Sequence, residues 1–301
     1  MIIVIQCKDR TGLVAAITGV LAAEGLNIIS LREHVDKIAC RFFLRLELEQ
    51  DTASQKTINK DKALNEDKAF NEDSPPGKAA SGLEERLRPL LPPDAIIVVN
   101  PLAEKKIVVL VSKEYHCLAD ILVRHYFRAL GISVQCVIGN HPTLQDICSR
   151  FDIPFHQVGH DGMSKDEFEQ RIMEIIEGYA PDYLVLAKFM RILSPGFVAK
   201  FPMRIINIHH SFLPAFAGAS PYRQAFERGV KLIGATAHFV TDELDEGPII
   251  AQQIIPVSHS FTAADMVNAG KEIETAVLAK ALRLVFEDRV LVYKNKTIVF
   301  E

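Results

Sequence analysis

Two short stretches of the chain hold side chains whose types and spacing suit acyl chemistry. The first reads Asn207-Ile208-His209-His210-Ser211-Phe212-Leu213-Pro214 and follows an apolar run, Ile205–Ile208, that predicts a buried strand. Strand alternation puts Asn207 and His209 on one side and Ile208 on the other. An amide and an imidazole facing the same way at a strand exit can together receive a carbonyl oxygen as it turns negative. The plainer reading leaves Asn207 capping the strand and His209 as a satisfied polar core residue, and spacing alone leaves both open. The second stretch is Thr241-Asp242-Glu243-Leu244-Asp245-Glu246-Gly247-Pro248, with four acids in five positions. A solvated loop would need no other role. Alternatively, Leu244 and the Gly-Pro turn fix Asp245 toward the sheet end, where a carboxylate beside an imidazole raises the imidazole's pKa and orients a water. His209 and His210 should point to opposite faces if the strand continues, which makes His210 a structural residue. With neither His-Glu-x-x-His nor Cys-x-x-Cys present, the expectation is no metal.

The elements that must position these groups read as a doubly wound, mostly parallel α/β region from Lys106 onward. Apolar runs Ile107–Val111, Val134–Ile138, Tyr183–Ala187 and Ile205–Ile208 look like buried parallel strands, with helical stretches Leu118–Leu130, Leu144–Phe151 and Lys165–Gly178 between them. Gly234–Val240 and Ile249–Val257 are further strands. Thr262–Phe286 reads as a long helix with Thr262 as cap and Asp265 three residues on. Val290–Tyr293 and Thr297–Phe300 suggest a closing hairpin.

The first hundred residues carry a smaller alternation. A strand at Ile2–Gln6 meets Asp9-Arg10-Thr11-Gly12, then a helix with Leu13, Ile17, Val20 and Leu21 on one face. Thr11 is the expected cap and Gly25 the expected stop. Strands Asn27–His34 and Arg41–Leu48, a helix Gly82–Leu91 and a strand Ala95–Val99 complete a βαββαβ, ferredoxin-like order. Between them, residues 56–73 repeat a six-residue unit three times: KTINKD, KALNED, KAFNED. A spacing of six turns successive copies by roughly 240° on a helix, so no apolar face forms. The unit is too short for a solenoid. A solvated insertion at about 51–80 is favoured over a partner-binding linker. The domain reading is therefore 1–100 and 104–301.

Composition narrows the class. With 301 residues, 49% hydrophobic and 24% charged, a packed core is expected. Lys+Arg 34 against Asp+Glu 38 gives a net charge of −4, which offers no broad positive field to nucleic acid. Five cysteines without a paired spacing do not read as a disulfide framework. The start of the chain is too short and too soon charged for a signal peptide, and no apolar stretch of membrane-spanning length occurs, so a cytoplasmic protein without membrane partners is expected.

The motifs Asn-Ile-His-x-Ser-x-Leu-Pro (Asn207–Pro214) and Gly-x-x-x-His-Phe-Val-x-x-x-Leu-Asp-x-Gly-Pro (Gly234–Pro248) resemble the formyltetrahydrofolate-dependent formyltransferase fold. Together with Lys113–Leu118 and Asn140-His141-Pro142, the chain resembles the formyltetrahydrofolate deformylase family, an ACT domain followed by that catalytic domain. The resemblance implies a catalytic trio of Asn207, His209 and Asp245. It also implies a folate pocket from Met190, Arg191, Ile192 and Leu193 with the loop Thr241–Gly247, including Thr241, Asp242 and Gly247. It further implies hydrolysis of 10-formyltetrahydrofolate, with folate as substrate and no cofactor, in the service of purine biosynthesis and one-carbon balance. Asp245 would position and deprotonate water, while cationic His209 and Asn207 hold the oxyanion. For the ACT domain the resemblance implies a homo-oligomer and an amino-acid effector, methionine or glycine, near Asp9, Gly12 and Asn27. The helix N-terminus at Gly12 suits a carboxylate. The alternatives are a formyl transferase acting on an amine such as glycinamide ribonucleotide, or an amino-acid-sensing regulator with a silent folate pocket. Transfer is disfavoured because the loop Ser112–Cys117 has no glycine and sets an acid and an aromatic where a phosphate would lie.

Overall fold

The computed structural model describes residues 1–50, 77–100, 104–215 and 221–301, so the three repeats at 56–73 lie outside the described residues. The chain divides into two compact units, Met1–Ala103 with Phe300 and Glu104–Val299 with Glu301.

In the first unit, β1 (Ile2–Lys8), α1 (Leu13–Ala23), β2 (Leu26–Asp36), β3 (Arg41–Gln50), α2 (Gly77–Leu87) and β4 (Ile96–Asn100) follow in the expected order. The sheet order is β2-β3-β1-β4, with every neighbouring pair antiparallel. The period-2 pattern of β1 sends Ile3, Ile5 and Cys7 to one face, where they meet Leu13, Ile17 and Leu21 of α1 and Leu83 and Leu87 of α2. Two local expectations are corrected. Gly12, not Thr11, is the N-cap of α1, at φ 87° and with no side-chain hydrogen bond; a left-handed residue there is open to glycine at no steric cost. The second helix starts at Gly77 and gives way to a 3-10 turn at Arg88–Leu90, where Pro89 has no N–H to continue an α-helix.

The second unit holds a seven-stranded sheet of order β11-β10-β9-β8-β5-β6-β7. Its members are β5 (Lys105–Val111), β6 (Ile132–Gly139), β7 (Phe155–Gln157), β8 (Tyr183–Leu186), β9 (Ile205–His209), β10 (Leu232–Phe239) and β11 (Ile249–Pro256). The strands from β7 to β9 are parallel, while β10 is antiparallel to both β9 and β11. Helices α3 (His116–Tyr126), α4 (Gln145–Arg150), α5 (Lys165–Tyr179), α6 (Pro195–Val198), α7 (Pro221–Arg228) and α8 (Ala263–Phe286) connect them. Strands buried on both faces, such as β5 with Ile107–Val111 entirely inaccessible, explain the continuous apolar runs in the sequence. One core layer packs β5, β9 and β10 against α3 and α8; the other packs β5, β6 and β8 against α5 and α6. The capping box read from the sequence, Thr262 with Asp265, forms on α8, and a second one that the sequence reading did not pick out, Ser164 with Glu167, forms on α5. A hairpin of β12 (Val290–Tyr293) and β13 (Lys296–Val299) closes the chain.

Candidate active site

Parallel strands β5, β6, β8 and β9 all direct their carboxyl ends to one edge of the sheet, the usual place for a ligand in such folds. Asn207 and His209 leave β9 at that edge. The antiparallel partner β10 sets His238 opposite Asn207 and Thr236 opposite His209. Asp245 lies in the turn between β10 and β11 and has φ 57°. This left-handed backbone, which asparagine and aspartate tolerate better than most residues, turns its carboxylate back over the strands.

Gly247 makes that turn close. A Cβ at this position would sit 1.8 Å from the Phe239 carbonyl oxygen, so any side chain would push the loop off β10. The segment after His209 is stitched down by Thr236, which is wholly buried. Its hydroxyl donates to the Ser211 carbonyl at 2.9 Å and accepts from the Leu213 N–H at 3.0 Å.

The three predicted residues converge, joined by one that the motif contained but the sequence reading left without a role. His209 Nδ1 is 3.3 Å from Asp245 Oδ1, and His238 Nε2 is 3.7 Å from the same oxygen. Asn207 Nδ2 is 3.2 Å from His238 Nε2, and His238 Nδ1 is 2.8 Å from the Phe239 carbonyl. The Nδ1–H of His238 donates to that carbonyl, which leaves Nε2 to accept from Asn207. Burial holds the His238 pKa below the ordinary histidine value and keeps that tautomer neutral. The hydrogen bond and charge of His209 lower the pKa of Asp245 despite its partial burial, so it stands as a carboxylate. His209 is 5% exposed, and its Nε2 is buried with no partner among the described residues. A buried polar nitrogen left open in this way is a group waiting for a ligand.

His210 corrects a further expectation. Strand β9 ends at His209, so alternation stops there, and the two imidazoles stack with centroids 5.1 Å apart and planes at 26°. Burial, the Lys188 ammonium and His209 together push the His210 pKa down to about 4.

Met190, Arg191 and Ile192 are exposed after β8, and Leu193 is half-buried. The segment is pinned at both ends: Met190 N–H donates to Ser112 Oγ at 3.0 Å, and Ser194 donates both its N–H and its hydroxyl to the buried carboxylate of Glu169. Ser194 in turn caps α6, its hydroxyl accepting from the Phe197 N–H. Thr241 donates to the Glu243 carbonyl at 3.2 Å, and Asp242 is exposed. In the other unit Asp9 donates its N–H to the Cys40 carbonyl at 2.9 Å, Gly12 caps α1 and Asn27 stands exposed at the start of β2.

A second cluster went unseen in the sequence. Glu274 of α8, 1% exposed, accepts from Tyr222 Oη at 2.8 Å and His116 Nε2 at 2.8 Å, with Lys188 Nζ at 3.1 Å. Burial alone would raise its pKa, but these three partners bring it down to about 2. The Cys117 sulfur lies near the same group of ligating atoms, but burial and Glu274 push its thiol well up, so it stays protonated. A protonated thiol and a carboxylate already neutralised by an ammonium fit an ion cluster better than a metal site.

Residues 105–282 match the Formyl transferase family model and residues 1–59 the ACT domain model. The chain is 47% identical to the formyltetrahydrofolate deformylase of Escherichia coli over 293 residues, which is 97% of this chain and 95% of the relative. The chain belongs to the formyltetrahydrofolate deformylase family. A crystal structure of a family member from Pseudomonas syringae pv. tomato superposes with a TM-score of 0.85 at 38% identity, covering 100% of this chain and 94% of that one. Glycinamide ribonucleotide transformylase 1 from Symbiobacterium toebii reaches a TM-score of 0.64 at 31% identity over 67% of this chain and 96% of its own. The family therefore shares its formyltransferase unit with the transformylases and has the ACT unit in addition.

Proposed function

We infer that this chain hydrolyses 10-formyltetrahydrofolate to formate and tetrahydrofolate. The observation that carries the reading is the pairing of His209 with Asp245 beside a buried Nε2 that has no partner among the described residues, in a chain that follows the deformylases along almost its whole length.

Asp245, held as a carboxylate, orients a water and takes its proton as the oxygen bonds to the formyl carbon. The carbonyl oxygen becomes an oxyanion between an N–H of Asn207 and Nε2–H of a protonated His209, whose Nδ1–H remains on Asp245. Asn207 has two amide hydrogens, one for His238 and one for this oxygen. Collapse breaks the bond from carbon to N10, which takes up a proton, and formate leaves as its anion with loss of the second. The reaction as drawn needs no cofactor and no metal.

Met190–Leu193 and the loop with Thr241, Asp242 and Gly247 hold the folate on this reading, supported by the anchoring of the first by Ser112 and Glu169 and of the second by the close packing of Gly247. The formate feeds purine biosynthesis. The first unit takes an amino-acid effector, methionine or glycine, at Asp9, Gly12 and Asn27, in a cytoplasmic homo-oligomer; the ACT match and the left-handed cap at Gly12 support this. No helix among the described residues is long and apolar enough to cross a membrane.

Purified protein mixed with 10-formyltetrahydrofolate and no amine should release formate and tetrahydrofolate in equal amounts. Formate that appears only on addition of an amine would make the chain a transferase.

A further inference from the structure

A cavity of about 530 Å³ is lined among others by Glu114, His116, Lys188, His210, Lys271 and Glu274, and the His210 ring in its wall stacks on His209 with centroids 5.1 Å apart. That stack brings the cavity beside the trio, so on the hydrolase reading a second substrate seated in it would stand next to the formyl group. A primary amine reaches such a site largely as an ammonium ion at neutral pH. To become a nucleophile it needs a carboxylate that can hold the cation and take its proton.

Among the described residues two carboxylates line the cavity, and both are occupied. Glu274 carries Lys188 at 3.1 Å, His116 at 2.8 Å and Tyr222 at 2.8 Å. Glu114 carries Lys271 at 2.8 Å. Space for the Tyr222 phenol is kept by Gly270, where a Cβ would stand 2.2 Å from the ring. Lys188 itself is held at some cost. It takes a left-handed backbone, φ 63°, which a residue with a Cβ rarely adopts, and its side chain is only 10% exposed. The protein thus sets its own primary ammonium on Glu274, the deeply buried carboxylate of the two. A second ammonium about 4 Å away would meet a repulsion that lowers its occupancy roughly a thousand-fold at an effective dielectric of about 20. Water carries no charge and is unaffected.

Resting on the hydrolase reading, we propose that Lys188, seated on Glu274, excludes amine acceptors from the formyl site and so makes water its nucleophile. Lys188 is a specificity-determining residue that need not touch the folate.

The test uses full-length protein, 10-formyltetrahydrofolate with a labelled formyl group, and glycinamide as the amine probe, with formate and N-formylglycinamide counted by mass spectrometry. The unmodified protein should give formate alone, and glycinamide should not slow it. Lys188→Gly suits the left-handed backbone and should raise the share of N-formylglycinamide at least about ten-fold, whereas Lys188→Arg, which keeps a cation, should stay with formate. Lys188→Gly leaves Glu274 without its ammonium, so the double variant Lys188→Gly/Glu274→Gln, with no unpaired charge, is run beside it and should also formylate the probe. Formate as the sole product from the folded variants overturns the proposal, as does competitive inhibition of the unmodified protein by glycinamide. Failure of the unmodified protein to release any formate without amine would instead count against the hydrolase reading.

Discussion

The side-chain amide of Asn207 donates to Nε2 of His238 across 3.2 Å, while Nδ1 of the same ring donates to the Phe239 carbonyl at 2.8 Å. Direct cross-strand pairing of the two residues fixes this relay, and it decides which way the Asn207 amide faces. His238 is therefore a positioning residue. His238→Phe fills the space but removes the acceptor, and should lower kcat about 10–100-fold with a smaller change in KM, since the lost orientation acts on the oxyanion. His238→Gln, which keeps an acceptor, should recover part of the rate. Steady-state kinetics of the two variants check this; equal rates in both would remove the relay from the account.

The turn that carries Asp245 depends on the missing side chain at Gly247. Gly247→Ala drives a methyl into the Phe239 carbonyl, so the loop must lift from β10. The expected result is a loss of at least about 2 kcal/mol in unfolding free energy together with near-complete loss of turnover. Denaturant titration and formate assay of the same sample measure both.

The folate segment should respond differently. Glu169→Ala leaves the Ser194 N–H and hydroxyl without their acceptor and frees one end of Met190–Leu193. Orphaning such groups costs about 1–3 kcal/mol. The variant should raise KM for 10-formyltetrahydrofolate several-fold while kcat changes less, because the trio on β9 and the β10–β11 turn is untouched.

Acid should unfold the catalytic unit in two stages. The pKa of His210 drops from 6.5 to about 4 in the fold, so the unfolded chain binds its proton first, and stability falls as pH goes from about 6.5 to 4. For a half-buried ring this amounts to about 1–3 kcal/mol. The pKa of Glu274 drops from 4.5 to about 2, so its contribution is intact above about pH 4.5 and is lost as pH falls toward 2. Unfolding free energies measured from pH 7 to pH 3 should show the first decline in the unmodified protein. In His210→Phe the decline above pH 4.5 should be reduced.

Much of this site is legible in the amino-acid sequence because it rests on local rules. Alternation along a short strand places Asn207 and His209 together, and a Leu-Asp-x-Gly-Pro turn carries Asp245. The apolar runs that became β5, β6, β8 and β9 were readable because strands covered on both faces need no polar alternation. What stayed hidden depends on partners far apart in the chain. The part played by His238 requires the β9–β10 register, and the Glu274 cluster joins His116 to a residue 158 positions later. His210 misled because alternation holds only while the strand lasts, and β9 stops one residue earlier. Thr11 misled because a glycine with a left-handed backbone can begin a helix without a side-chain cap.

On the proposed mechanism Asp245 works on water at a carbon held by Asn207 and His209. Pre-steady-state hydrolysis of 10-formyltetrahydrofolate by Asp245→Asn, compared with substrate affinity measured on the same protein, tests it most directly. The chemical step should slow about 10²–10⁴-fold, with folate binding changed by no more than a few-fold. A chemical step within two- or three-fold of the unmodified protein would contradict it.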